Sequence, residues 1–158
     1  MFRYLLQALL FSLILAIFCN CTEKGDVVDF KKKMLEEINS KRLNGCFCGE
    51  DSMPPVQELL YDESLEFAAQ RHVHDMTENN FLSHIGSDGS TPSNRAADAG
   101  FMGAYIGENI ARGFISVDEV MSRWFSSTEH CKTMMDPYYS FMGIAYEEYY
   151  WVQLFGSN

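Results

Sequence analysis

Apolar residues recur at helical spacing in three stretches of this 158-residue chain. In "DFKKKMLEEINSKRL", Phe30, Met34, Ile38 and Leu43 fall on one side, and Asp29 stands near the start. In "DESLEFAAQRHVHDMTENN", Leu65, Ala68, Ala69, His72 and Met76 share a face, and Asp62 is placed to cap the first turn. In "SVDEVMSRWF", Ser116 and Glu119 have capping-box spacing, and Val117, Val120, Met121 and Trp124 line one side. A shorter helix is expected in "SNRAADAG", closed by Gly100.

Between these lie breaker-rich segments. "NGCFCGEDSMPP" and "SHIGSDGSTP" read as loops, because Gly, Pro, Ser and Asp dominate them. Near the C-terminus the pattern changes period. "FMGIAYEEYYWVQLF" alternates and is aromatic, as a hairpin of two strands would be. Helices followed by terminal strands predict an α+β domain layered as an α/β/α sandwich.

The first residues set the compartment. Arg3 precedes an apolar run from Leu5 to Phe18 that contains no acid, which is the shape of an export signal and is short for a membrane span. Residues 1–21 are therefore read as a signal peptide. Cys21 follows Asn20 where a lipid-modified cysteine would begin a lipoprotein, so a lipid anchor at a membrane surface is one form of export. Residues 22–29 read as a polar linker and 30–158 as one domain. The expected location is extracytoplasmic: secreted, periplasmic or tethered.

Composition narrows the partners. The net charge is −10 and becomes more negative once Arg3 is removed, which disfavours nucleic acid and anionic membranes. With 47% apolar residues a packed core is expected, and a monomer with it.

Three cysteines remain beyond the signal: Cys46, Cys48 and Cys131. In an exported chain they read as disulfide formers rather than reactive thiolates. Bridging Cys46 to Cys48 would close a strained ring, so one of them pairs with Cys131. Cys48, beside Gly49, is preferred and Cys46 is left free or capped. A catalytic Cys131–His130 pair is disfavoured by the same compartment argument.

Four histidines are present. His72 and His74 lie two apart on a helix and cannot chelate together, so His72 is read as partly buried and His74 as solvated. His84 and His130 are placed where helical segments meet loops. Glu108 sits in the Gly-flanked apolar stretch "IGENIARG", where a carboxylate must be paired or bound. Together His84, Glu108 and His130 form a candidate three-ligand set with an open position, suited to Zn²⁺ or another divalent cation. HExxH, CxxC pairs, an EF-hand loop, a Gly-x-Ser-x-Gly elbow and a phosphate-cradling loop are all missing.

From about Asn39 to Gly156 the sequence resembles the bacterial branch of the CAP superfamily: cysteine-rich secretory proteins, antigen 5 and pathogenesis-related 1 proteins, or SCP-like extracellular proteins. The resemblance rests on ordered blocks, "CGEDSMPPVQELLYDESLEFAAQRHVHDM", "NNFLSHIGSDGSTPSNRAADAGF", "IGENIARG", "RWFSSTEHCKTMMDP" and "MGIAYEEYYWVQLFG". It implies a small central antiparallel sheet between helical layers, and a cleft lined by two histidines and two acids. His84, Glu108 and His130 match three of those four positions. Gly143 keeps the family's spacing from the second histidine, and a Cys48–Cys131 bridge is supported. The second acid is replaced by Ser127, as is common among bacterial members. Glu129 is a nearby alternative, read as facing solvent by the ordinary preference of acids for water.

Two functions follow as expectations. The first is a binding module whose cleft of His84, Glu108, Ser127, Glu129 and His130 takes a small hydrophobic, glycan or peptide ligand, such as a cell-wall or host component, with a divalent metal as an option. The alternative is a metal-assisted hydrolase of peptides or esters, with His84, Glu108 and His130 as candidate catalytic residues. The sparse acid–base inventory favours binding.

Overall fold

A computed structural model describes residues 23–158 of the chain, with side chains from residue 30. The signal-peptide and lipid-anchor readings fall on residues outside that range. The first helix, α1 (Glu23–Asn44), runs through most of the 22–29 stretch read as a linker, so its backbone there is helical. A separate hairpin follows, β1 (Cys46–Cys48) with β2 (Asp51–Met53), in a segment expected to be loop. Then come β3 (Leu60–Tyr61), α2 (Glu63–Glu78), α3 (Pro92–Asp98) and β4 (Ala104–Arg112). Next are α4 (Val117–Ser126), α5 (Thr128–Met135), β5 (Phe141–Glu147) and β6 (Tyr150–Ser157).

The main sheet has the order β3-β5-β6-β4. β6 is antiparallel to both β4 and β5, and the short β3 runs parallel to β5. Helices cover both faces, giving an α/β/α sandwich. Side chains alternate along β6 as strand geometry requires. Tyr150, Val152 and Leu154 join Leu65, Ala68, Ala69 and Met76 of α2 on one side. Trp151 and Phe155 join Met34 and Ile38 of α1 and Val120, Met121 and Trp124 of α4 on the other. β6 is buried on both faces and so carries apolar residues at nearly every position, where the sequence pattern is read as alternation.

Asp62 caps α2 by accepting from the Leu65 amide at 2.9 Å, as expected from sequence. Gly143 has a steric reason. A Cβ there would lie 2.1 Å from the Glu66 amide nitrogen, so only glycine lets the first turn of α2 rest on β5.

One periodicity expectation is corrected. Leu43 is half-exposed, and the neighbouring Arg42 is fully buried in its place. The Arg42 guanidinium donates to the carbonyls of Gln57 (2.7 Å), Met134 (2.7 Å), Asp136 (3.0 Å) and Tyr139 (3.0 Å). It ties α1 to the end of α5. Burial pulls its pKa down to about 10, against the opposing pull of Asp136.

A histidine–carboxylate–arginine site at the edge of the sheet

β4 is an edge strand of the main sheet, and two successive residues on it reach opposite faces. Glu108 turns toward α2 and α3, while Asn109 turns toward α5 and donates to the His130 carbonyl at 3.2 Å. The candidate residues therefore approach the same strand from two sides. The sequence reading treated "IGENIARG" as an apolar stretch and did not see this strand.

Glu108 is the centre of the first side. Its side chain is 1% exposed. His84 Nδ1 donates to Oε1 at 2.7 Å, and Arg95 Nη2 donates to Oε2 at 2.6 Å. A carboxylate only accepts, so His84 carries its proton on Nδ1 and turns Nε2 outward to the half-exposed face of the ring. Arg95, on α3, also holds the loop that presents His84: Nη2 donates to the His84 carbonyl at 3.2 Å and Nη1 to the Ser90 carbonyl at 2.9 Å.

His72 supports the same loop from α2. It is fully buried, and its Nε2 donates to the Ser83 carbonyl at 2.8 Å, with Nε2 3.9 Å from Glu108 Oε1. Burial pushes its pKa down, outweighing the pull of Glu108, so the ring is neutral at neutral pH. His74, on the polar side of the helix, is exposed and bonds Glu147 at 3.1 Å.

The second side is built on α5. The sequence reading ended a helix near His130. The structure places His130 inside α5 instead, one turn from its N-cap Ser127. His130 Nδ1 and Ser127 Oγ share a hydrogen bond of 2.9 Å. The residue at the acid position therefore orients the histidine directly. Burial is the first cause lowering the His130 pKa. The charges of His84 and Arg123 push the same way, and Glu129 opposes them. Glu129 is exposed, with no hydrogen bond from its carboxylate to the site.

The cysteine expectation holds: Cys48 and Cys131 form a disulfide with Cα atoms 5.4 Å apart, and Cys46 is free. It fastens the hairpin to the turn of α5 just after His130.

A three-ligand set of His84, Glu108 and His130 is not what this geometry presents. Both Glu108 oxygens are occupied, one by a buried cation, which opposes a further positive ion there. Among the described residues, the one group of three donor atoms within 4.8 Å of one another is Cys46, Cys48 and Cys131, two of which are bonded. Sequence reasoning missed Arg95, His72 and Asn109 as site supports. A buried Arg or His on a short amphipathic helix signals such a role only once the carboxylate it faces is known.

The layered α/β/α domain is the fold of CAP-type proteins, and here it carries its histidines on a loop and a helix beside an edge strand. The chain belongs to the cysteine-rich secretory protein (CAP) family, whose model matches residues 35–155. It is 28% identical over 124 residues to the uncharacterized protein YkwD of Bacillus subtilis, covering 78% of this chain and 45% of that protein. It is 26% identical over 100 residues to the uncharacterized membrane protein YlbC of the same organism, covering 63% of this chain and 29% of that one. The chain spans less than half the length of both curated relatives.

Two solved structures share the fold. An extracellular SCP-domain protein of Bacillus anthracis superposes with a TM-score of 0.70 at 21% identity, over 80% of this chain and 40% of that one. An outer surface protein of Borrelia burgdorferi superposes with a TM-score of 0.69 at 23% identity, over 82% of this chain and 93% of that one. Among the described residues, no helix is long and apolar enough to cross a membrane.

Proposed function

We propose that the chain is an extracytoplasmic binding module that holds a small hydrophobic, glycan or peptide ligand between His84 and His130. The observation that carries this reading is the state of Glu108. With one oxygen on His84 and the other on Arg95, it serves as an orienting anchor. The hydrolase reading with Glu108 as general base would need that carboxylate free to take and return a proton. Ser127 is not an acid, and Glu129 stands in solvent. The exposed apolar residues Leu82 and Ile85 flank His84 on its loop, and support a ligand with an apolar part. The extracellular and surface neighbours support an extracytoplasmic location.

With both Glu108 oxygens engaged, two histidines are left as ligands for a divalent metal. His84 and His130 would hold it through Nε2, with Glu108 and Ser127 fixing the rings from behind, as outer partners of metal-bound histidines do. Such an ion would supply Lewis acidity or a bridge to an anionic ligand group.

The test uses a fluorescent fatty acid, a cell-wall glycan fragment and an unstructured peptide as probes, alongside chromogenic esters, with and without Zn²⁺. The reading expects saturable binding of at least one probe, weakened about tenfold or more in His84→Ala and His130→Ala, which is a loss of about 1.4 kcal/mol. It expects no turnover. Ester or peptide cleavage that disappears in His130→Ala would establish the hydrolase instead.

A further inference from the structure

Two cysteines on one face of β1 confront a single cysteine on α5. Residues two apart on a strand point the same way, so Cys46 and Cys48 both face α5 while Phe47 between them is 71% exposed. Cys48 holds the bond to Cys131, yet Cys46 Sγ lies only 4.0 Å from Cys131 Sγ. The three sulfurs cluster with Met135 under Met53, Val56 and Phe125. Cys46 is at the rim, partly open to water, whereas Cys48 and Cys131 are fully buried.

The hairpin that carries the two cysteines is not part of the main sheet. It is bounded by Gly45 (φ 71°) and Gly49 (φ 64°), left-handed positions that glycine adopts freely. β1 pairs with β2 alone, so a turn of this hairpin against α5 breaks no ladder of the central sheet.

We propose that Cys46 is a resident exchange thiol, able to displace Cys48 from Cys131 and give the chain two disulfide isomers. With all three sulfurs within 4.8 Å of one another, Cys46 stands beside the Cys48–Cys131 bond, so the hairpin first turns to bring it into line. The Cys46 thiol then yields its proton to solvent and the thiolate attacks Cys131 Sγ. The Cys46–Cys131 bond forms as the Cys48–Cys131 bond breaks, and Cys48 leaves as a thiolate that takes up a proton. One disulfide and one thiol stand on each side, so no oxidant or reductant is consumed. The Cys48–Cys131 isomer is the major one, because it leaves the free thiol at the wet rim rather than in the apolar interior. Exchange moves the anchor of α5 by two strand residues, roughly 7 Å along β1. Because Cys131 follows His130, it would also reset the turn that carries that ring; this consequence alone rests on the proposed binding site.

The purified chain is incubated in mildly alkaline buffer with a trace of reduced glutathione, quenched with acid, and its free thiols are alkylated. Chymotrypsin, which cleaves after Phe47, separates Cys46 from Cys48 for non-reducing mass mapping. The proposal expects a minor Cys46–Cys131-linked peptide together with alkylated Cys48, both lost completely in Cys46→Ser. An alkyl label confined to Cys46, with Cys48–Cys131 as the one linked pair throughout, overturns it. A second measurement uses Cys48→Ser in a glutathione redox buffer. Formation of a Cys46–Cys131 bridge supports the exchange, and two persistent free thiols in the folded variant contradict it. Neither measurement involves ligand binding, so their failure is separate from failure of the proposed function.

Discussion

Arg95 donates to Glu108 at 2.6 Å, and both side chains are 1% exposed. This pair turns a carboxylate on an edge strand from an open ligand into a fixed support for His84. A buried charge left without its partner is costly, so the pair makes a sharp prediction.

Arg95→Met should destabilise the fold by about 3–5 kcal/mol, the usual cost of stranding one member of a buried ion pair. The double variant Arg95→Met/Glu108→Leu should recover much of that loss, because no charge remains buried. Urea denaturation of the single and double variants measures both. Equal losses in the two would show that Arg95 acts through its packing and its bonds to the His84 and Ser90 carbonyls, not through Glu108.

Gly143→Ala places a methyl group 2.1 Å from the Glu66 nitrogen and 2.2 Å from the Leu65 carbonyl carbon. Both contacts are backbone, so α2 must lift from β5. A loss of about 1–3 kcal/mol is expected from overpacking of this kind. A thermal midpoint unchanged from wild type would contradict the close approach.

Cys131→Ala removes the partner of both β1 cysteines. The bridge spans 83 residues, for which the chain-entropy model gives about 4 kcal/mol. Cys48→Ser should lose less, provided that Cys46 takes over the bond. Denaturation midpoints under oxidising and reducing conditions measure the difference. Equal losses would show that Cys46 contributes no bond.

Acidification tests the buried histidines. Burial lowers the pKa of His72 in the folded chain. The unfolded chain then binds more protons below the ordinary histidine value of about 6.5, so stability falls as pH drops through that region. His130 acts in the same direction, and the exposed His74, whose pKa is raised by Glu147, acts oppositely. His72→Gln keeps a donor for the Ser83 carbonyl and cannot take a proton. Its stability should depend less steeply on pH between neutrality and about pH 5 than the wild type's, as read from urea midpoints. Parallel slopes would mean that His72 keeps an ordinary pKa.

The helices were legible because their apolar spacing and caps are local signals: Asp62, Ser116 and the face of Leu65, Ala69, His72 and Met76 all fall where the pattern placed them. The β4 strand was not, since its middle carries Glu108 and Asn109, polar residues that break the alternation and are satisfied only by α2, α3 and α5. The β1–β2 hairpin was hidden for a related reason. Its strands are three residues long, and glycines and prolines around them read as loop. His84, Glu108 and His130 could be singled out by chemistry and by resemblance. That Glu108 would be shared between His84 and Arg95 could not be, because Arg95 lies on a helix whose sequence gives no hint of what it faces. Leu43 and Arg42 exchanged roles for the same kind of reason: the carbonyls that hold Arg42 come from three distant segments.

His84 and His130 sharing one site is the central claim, and proton NMR titration of the His130 ring tests it directly. Burial, His84 and Arg123 all hold its pKa below the ordinary histidine value, while Glu129 opposes them. In His84→Ala the influence of His84 is removed and the others stay, so the His130 pKa should rise toward the ordinary value. A His130 titration unchanged by His84→Ala would show that the two rings do not face one another, and would contradict the account.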